Sequence, residues 1–303
     1  RIAETIYHAS LTASMEIAKE REQAIENLEF LETQLTAGKM KVDQLEQDVQ
    51  AIETSLHLTE DERRLVKYKG AYSTFDGSPA SKGVLQFDMW QHSPTNMYDW
   101  DALKRDIQQY GLRHSLNIAL MPTASTSQIM GYTESFEPIT SNIYQRRTLA
   151  GEFIVINKYL IQDLIDIGLW NVDMKNRILA NDGSVQNIPE IPQHIRDLYK
   201  TVWEIKQRTL IDQSADRGPF VCHTQSLNLY VEDPDITKIS NMHFYAWNKQ
   251  LKTGLYYLRT RPKAKTQSFT LDPRLSAAAS RHPLSATTAT ATAIVFILSD
   301  SFL

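Results

Sequence analysis

Three features of this sequence predict an α/β fold. Leu227-Asn-Leu-Tyr-Val231 alternates as a strand does, Asp233-Pro234 opens a helical stretch that Gly254 stops, and residues 255–258 form a second apolar run. A strand, a helix and a strand make a βαβ unit, for which parallel pairing with a right-handed crossover is the default. Further upstream, Leu116-Asn-Ile-Ala-Leu120 is a short apolar run that ends at Pro122, as a buried strand would. Between these two places lie several helical repeats bounded by glycine.

Ile6, Leu11, Met15 and Ile17 fall at roughly helical spacing and predict an amphipathic helix over residues 2–20. Residues 21–69 change character. Ile25, Leu28, Leu31 and Leu35 repeat at three-and-four spacing, as do Leu45, Val49, Ile52 and Leu56. Gly38 lies between the two runs, and its backbone entropy breaks helices, so two antiparallel helices joined there are expected. The pair reads either as a partner-binding coiled coil or as a surface insertion packed on itself. Globular texture resumes at Gly70, with turn chemistry in Phe75-Asp-Gly-Ser-Pro79 and a helix over Trp100–Tyr110 carried by Trp100, Leu103, Ile107 and Tyr110. Helices are also expected over 159–167 before Gly168, over 172–180 before Asn181-Asp-Gly183, and over 192–215 before Gly218. In the last, Ile195, Leu198, Val202, Ile205 and Thr209 share a face. Residues 271–303 are rich in Ser, Ala and Thr without periodicity and are expected to be a disordered or atypical tail.

Composition narrows the function classes. A chain of 303 residues, 42% of them hydrophobic, can bury one large core or two modest ones. Its net charge of -4 shows no basic footprint, so neither nucleic acid nor an anionic membrane is an expected partner. The only cysteine, Cys222, excludes an internal disulfide and a cysteine-rich metal site, and it fits a reducing, cytoplasmic compartment. It is expected to be a buried small hydrophobe. The first residues carry no leader pattern, the missing initiator Met suggests a fragment, and the apolar run Ala293-Ile-Val-Phe-Ile-Leu298 falls far short of the ~20 residues that span a bilayer.

Two places can carry chemistry. The loop containing Thr123, Ala124, Ser125 and Thr126 follows a strand and precedes a helical turn, where outward N–H groups and the helix dipole favour an anion. Its hydroxyls add donors without charge, so it reads either as a phosphate cradle or as an N-cap in a polar loop. Tyr256 and Tyr257 end a strand and precede Arg259 and Arg261. Adjacent strand residues point to opposite faces, which makes them core and interface aromatics; stacked phenols exchanging a proton would instead relay an oxidising equivalent. Either arginine can meet a phosphate or a partner. His114, His223 and His243 show no ligand spacing, and no metal site is expected.

In several blocks the sequence resembles the large catalytic subunit of class I ribonucleotide reductases. They include Gly77-Ser-Pro-Ala-Ser-Lys-Gly83, Met121-Pro-Thr-Ala-Ser-Thr-Ser-Gln128, Glu137-Pro138, Thr140-Ser-Asn-Ile-Tyr144, Gln225-Ser-Leu-Asn228, Met242-His-Phe-Tyr245 and Lys252-Thr-Gly-Leu-Tyr-Tyr-Leu-Arg-Thr-Arg-Pro262. The resemblance covers residues 1–20 and about 70–270, so it implies the C-terminal half of a ten-stranded α/β barrel with outer helices, plus the inserted hairpin. It implies reduction of ribonucleoside diphosphates to deoxyribonucleotides, with Thr123, Ala124, Ser125 and Thr126 on the substrate diphosphate and Tyr256 and Tyr257 forwarding a radical. The implied partners are the small subunit with its di-iron tyrosyl radical, other large subunits, thioredoxin or glutaredoxin as reductant, and ATP or dNTP effectors, none of them a cofactor bound directly by this chain.

The family's reacting Cys, Asn and Glu, its reducible cysteine pair and its effector sites would precede Arg1, so the chain alone is expected to be inactive. Val221-Cys-His-Thr224 replaces an Ile-Asp-Gln-Ser-like run, and the terminal cysteine pair is replaced by the Ser/Ala/Thr-rich tail. Two other readings stand beside the enzyme: a module binding the small subunit near the helices of 192–217 and 234–251 as a decoy or regulator, and a coiled-coil interaction protein.

Overall fold

A computed structural model describes residues 1–38, 42–57, 59, 67–149 and 151–261. The expected tail at 271–303 lies outside them. The chain divides into two compact units, one comprising Arg1–Thr140 and the described part of Val202–Lys263, the other Ser141–Thr201.

In the first unit, α1 (Ile2–Thr36) is one helix of 35 residues. It crosses the expected boundary after residue 20 without a break, because neither Gly nor Pro interrupts it. Tyr7, Leu11, Met15 and Ala18 are its buried stripe, whereas Ile6 and Ile17 are exposed, so the helix is turned from the face that the spacing suggested. Gly38 takes φ 63°, a left-handed conformation suited to ending a helix. The chain returns as α2 (Val42–Leu56), antiparallel to α1, with Arg21 donating to the Leu56 carbonyl at 2.6 Å. The N-terminal half of α1 is built into the core: Tyr7, Leu11 and Met15 pack with Phe75, Phe87, Trp100, Leu103, Ile107 and Phe220. The buried Glu4 carboxylate accepts from Thr95 N at 2.8 Å and from Trp100 Nε1 at 3.4 Å.

A helical turn, α3 (Gln86–Met89), precedes α4 (Trp100–Tyr110), which has the expected bounds and is capped by Asp99 accepting from Ala102 N at 2.9 Å. The expected strand at 116–120 is extended but forms no ladder. It makes a single parallel bridge, Leu120 to Gln225, with His223 N donating to Ile118 O and Ser226 N to Leu120 O. Ile118 is buried there while Leu116 is exposed. α5 (Ala124–Met130) follows directly.

The second unit opens on an unpredicted antiparallel hairpin of β1 (Ile143–Thr148) and β2 (Gly151–Ile156). Its helices α6 (Lys158–Asp166), α7 (Val172–Ala180) and α8 (Gln193–Leu198) bury Leu160, Leu164, Met174, Ile178 and Ile195 with Ile143, Val185, Ile188 and Ile191. The single helix expected over 192–215 is two helices. Tyr199 is held away from a helical path, because its hydroxyl donates to Asp163 Oδ2 at 2.7 Å and its carbonyl accepts from Asn142 Nδ2 at 3.0 Å. Leu198 is accordingly exposed, and the shared face with Val202 does not form.

The first unit resumes with α9 (Gln207–Arg217), β3 (Asn228–Tyr230), α10 (Ile236–Asn248) and β4 (Tyr257–Arg259). β3 and β4 pair in parallel, so the βαβ unit is present, with Asp235 rather than Pro234 beginning its helix. Its core is Val202, Leu210, Ile211, Leu227, Leu229 and Ala246. The described strands form two two-stranded sheets rather than a closed barrel.

Gly70 lies against the backbone of α1, next to Ala71 of the Tyr7–Phe220 core. A Cβ at that position would overlap the Ala18 carbonyl and lie 2.8 Å from Glu22 N, both helix backbone that cannot swing aside. Gly70→Ala should therefore lower stability by about 1–3 kcal/mol, the usual cost of overpacking, seen as a lower midpoint in thermal unfolding followed by circular dichroism.

Candidate functional site

The hydroxyl loop is built where the extended segment turns into α5. Thr123 closes a local ring, its N–H and hydroxyl both donating to the Glu134 carbonyl at 3.3 and 3.2 Å. Its own carbonyl accepts from Ser127 N at 2.9 Å, the first bond of the helix. Thr123, Ala124, Ser125 and Thr126 are all exposed, and Ser127 is buried beneath them. The N–H groups of 124–126 thus belong to the first turn, the set a helix leaves without intrahelical acceptors. Ser125 and Thr126 add hydroxyls on this exposed turn, while Thr123 is engaged in shaping the loop.

The return from this loop runs into the sheet. The Arg217 guanidinium lies 4.8 Å from the Phe136 ring centroid and donates to Gln225 Oε1 at 3.2 Å. Burial pulls this guanidinium below the usual arginine range, opposed by the charges of Glu137 and Asp216. Glu137 is 3% exposed and grips one residue with both oxygens, Oε1 accepting from Asn228 N and Oε2 from Asn228 Nδ2, each at 3.0 Å. Nothing in the spacing of the sequence marks Glu137 as special. Only its place in the Glu137-Pro138 block singled it out.

Asn228 is the ladder partner of Tyr257, and Tyr256 N donates to Leu227 O at 2.6 Å. The two phenols do not diverge to opposite faces. Their ring centroids are 4.3 Å apart at an interplanar angle of 65°, and a hydrogen bond to Tyr257 holds the Tyr256 phenol above the ordinary tyrosine range. Tyr256 is 49% and Tyr257 46% exposed, so one side of the pair is open. Arg259 lies over the Tyr257 ring at 4.5 Å, whereas Arg261 pairs with Glu232 at 2.8 Å and covers Trp203 at 4.6 Å. The cation beside the phenols is therefore Arg259, and Arg261 is engaged elsewhere. Chemically, two touching phenols can exchange a hydrogen atom, as one electron and one proton, without passing the proton to water.

Other candidates have structural surroundings. His114 Nδ1 lies 3.2 Å from Ser14 Oγ, and the His243 ring packs against Gly254. Cys222 is half-buried against the first core rather than fully buried as expected. Among the described residues no three His, Cys, Asp or Glu side chains gather as a metal cage, and no helix is long and apolar enough to cross a membrane. Beside the site, α10 exposes Ile236, Phe244 and Trp247, and a groove of about 570 Å³ runs past Phe244, Trp247, Leu251 and Gly254.

Residues 49–257 match the family model described as "Ribonucleotide reductase, barrel domain". The ribonucleoside-diphosphate reductase large chain of Schizosaccharomyces pombe is 54% identical over 227 residues, 75% of this chain and 28% of that one. Large chain 2 of Saccharomyces cerevisiae is 52% identical over 234 residues, 77% of this chain and 27% of that one. The Neurospora crassa large chain is 48% identical over 272 residues, 90% of this chain and 24% of that one. This chain thus spans about a quarter of the length of these relatives. Among solved structures, the Actinobacillus ureae class Id ribonucleotide reductase alpha subunit superposes with a TM-score of 0.46 at 19% identity, over 71% of this chain and 45% of that one.

Removing the hydrogen-bond partner should release the Tyr256 proton. In Tyr257→Phe, Tyr256 should titrate at lower pH than in the parent, measured as phenolate absorbance against the double variant that lacks both phenols.

Proposed function

This chain belongs to the ribonucleotide reductase barrel-domain family, and from that premise we propose that it supplies the substrate-phosphate grip and the radical inlet of a large subunit that reduces ribonucleoside diphosphates to deoxyribonucleoside diphosphates. The observation that carries the reading is the phenol pair, two tyrosines meeting edge to face 4.3 Å apart at the start of a strand whose neighbour is clamped by a buried carboxylate. A phenoxyl formed at one ring takes one electron and one proton from the other, so the first ring becomes a phenol again, the second becomes the phenoxyl, and the radical advances one step. The source is a partner, the small subunit's di-iron tyrosyl radical. The sink is a cysteine that the family places outside this sequence.

The hydroxyl loop supports the second half of the reading. Three first-turn N–H groups with the Ser125 and Thr126 hydroxyls match the oxygens of a diphosphate, and Thr123 and Ala124 shape the turn that presents them. Cys222 is the chain's single thiol, and one thiol cannot become the disulfide that balances reduction of a ribose hydroxyl. The chain therefore contributes binding and radical transfer, and turnover requires the family's other cysteines, a thioredoxin or glutaredoxin to reduce them, and effector nucleotides bound elsewhere. A reducing cytoplasmic setting suits this chemistry.

In the assembled enzyme, Tyr256→Phe and Tyr257→Phe should each abolish deoxyribonucleotide formation while leaving substrate binding intact. Ser125→Ala should raise KM on the order of tenfold or more, since a hydrogen bond to a charged group contributes about 1.5–3 kcal/mol. Wild-type turnover in either phenylalanine variant would remove the relay from the reading.

A docking role for α10 has its own support. Ile236, Phe244 and Trp247 are 84%, 66% and 72% exposed on one helix, a patch of the kind that marks interaction sites. On this reading the groove beside them receives the small subunit, in an active complex or as a decoy. Trp247→Ala should weaken binding of the small subunit's C-terminal peptide by about 2 kcal/mol or more, roughly thirtyfold, read by fluorescence anisotropy.

A further inference from the structure

We propose that Glu137 is a positioning residue for the Tyr256–Tyr257 pair, acting through Asn228 and the register of β4 on β3. The inference rests on the relay reading for its purpose, but its geometry stands independently. The parallel ladder between β3 and β4 has only three residue pairs, Asn228 with Tyr257, Leu229 with Leu258, and Tyr230 with Arg259. A strand pair this short is weakly registered by its own bonds, and a slip of one residue would send each side chain of β4 to the opposite face. Something outside the ladder has to hold it.

At one end of β3 this is done by Gln207, whose Oε1 accepts from Tyr230 N at 2.7 Å. At the other it is done by Glu137, reached across 91 residues of chain, with two bonds to the backbone and side chain of the same residue. Register partners on parallel strands project to the same face, so the Asn228 carboxamide is fixed beside Tyr257. Leu227, the preceding residue, takes the Tyr256 N–H. Glu137 thus fixes the strand on which both tyrosines are aligned. A buried carboxylate is a costly way to hold a strand, and it is stable here because each oxygen has a donor. Its charge also reaches a third phenol: burial first, and then Glu137, raise Tyr230 above the ordinary tyrosine range.

The clamp separates geometry from charge by substitution. Glu137→Ala removes both acceptors. Glu137→Gln keeps a two-bond clamp without charge, because Asn228 can rotate its amide to present Oδ1, which among the described residues has no donor. Asn228→Asp sets two buried carboxylates face to face, so its clamp survives only while a proton is shared and is lost as pH rises. Combining Glu137→Gln with Asn228→Asp restores an amide facing a carboxylate with the roles exchanged.

The readout is the titration of Tyr256 by phenolate absorbance in the whole chain, with circular dichroism reporting the fold. Glu137→Ala and Asn228→Asp should each shift Tyr256 down to where it titrates in Tyr257→Phe, and Glu137→Gln and the exchanged pair should return it to the parental position. A Tyr256 titration unmoved in Asn228→Asp would overturn the proposal, as would failure of the exchanged pair to rescue it. Both tests hold even where Glu137→Ala does not fold. The titration needs no turnover, so its outcome is separate from that of the relay. If Tyr256→Phe leaves turnover intact, the relay falls and the positioning result remains; if the titrations do not move, the reverse is true.

Discussion

The constraint on which the first unit depends is satisfaction of buried backbone where there is little sheet to provide it. A buried N–H or C=O left without a partner costs about 1–3 kcal/mol, and here the β3–β4 ladder serves only three residue pairs. Side chains do the rest. Glu4 takes Thr95 N, Glu137 takes Asn228 N, Gln207 takes Tyr230 N, Gln225 donates to Ser214 O, and Lys252 donates to Val221 O. In the second unit Asn142 does the same, donating to both Gly183 O and Tyr199 O. Most of these bonds join segments distant in sequence, so the groups that satisfy the backbone also set the tertiary path.

The candidate site follows from that arrangement. Thr123 and Glu134 close the hydroxyl loop, the chain leaving it passes through Phe136 into Glu137, and Glu137 holds the strand beside the phenols. A single stretch of about 15 residues thus closes the hydroxyl turn at one end and clamps Asn228 of β3 at the other. The connection is one of packing and hydrogen bonds, with no need for either end to move.

Much of this architecture was legible in the residues. Trp100–Tyr110 and Val172–Ala180 form with the expected bounds, and Gly38 turns the hairpin because its φ of 63° suits a residue without Cβ. The βαβ unit was legible in the alternation of its first strand and the helical stretch after it, although the helix ends at Asn248, before the expected stop at Gly254. What was not legible lies in long-range bonds. Periodicity across 192–215 reads as one helix, but Tyr199 is captured by Asn142 and Asp163, which no local pattern encodes. The run at 116–120 is extended as expected, yet its partner at 223–226 makes one bridge rather than a ladder. For the tyrosines, the alternation of a strand predicted divergence and the relay reading predicted contact; the rings meet edge to face, with Tyr256 just before β4 and its N–H held by the Leu227 carbonyl. Glu137 was visible only as a block member, since burial and partners across 91 residues carry its meaning.

The exposure of the phenols bears on the proposed relay. A proton passed between two rings stays between them only if water cannot compete for it, yet Tyr256 and Tyr257 are each about half exposed. The chain's own groups shield them incompletely: Arg259 covers the Tyr257 ring, and its charge disfavours a second cation there without excluding water. The groove along α10 ends at Gly254, two residues before Tyr256, and its wall carries the exposed Phe244 and Trp247. A partner seated in that groove would meet the chain two residues before the pair. On the proposed reading, docking and radical transfer are then one requirement rather than two, because the partner that delivers the oxidising equivalent also dries the phenols that receive it.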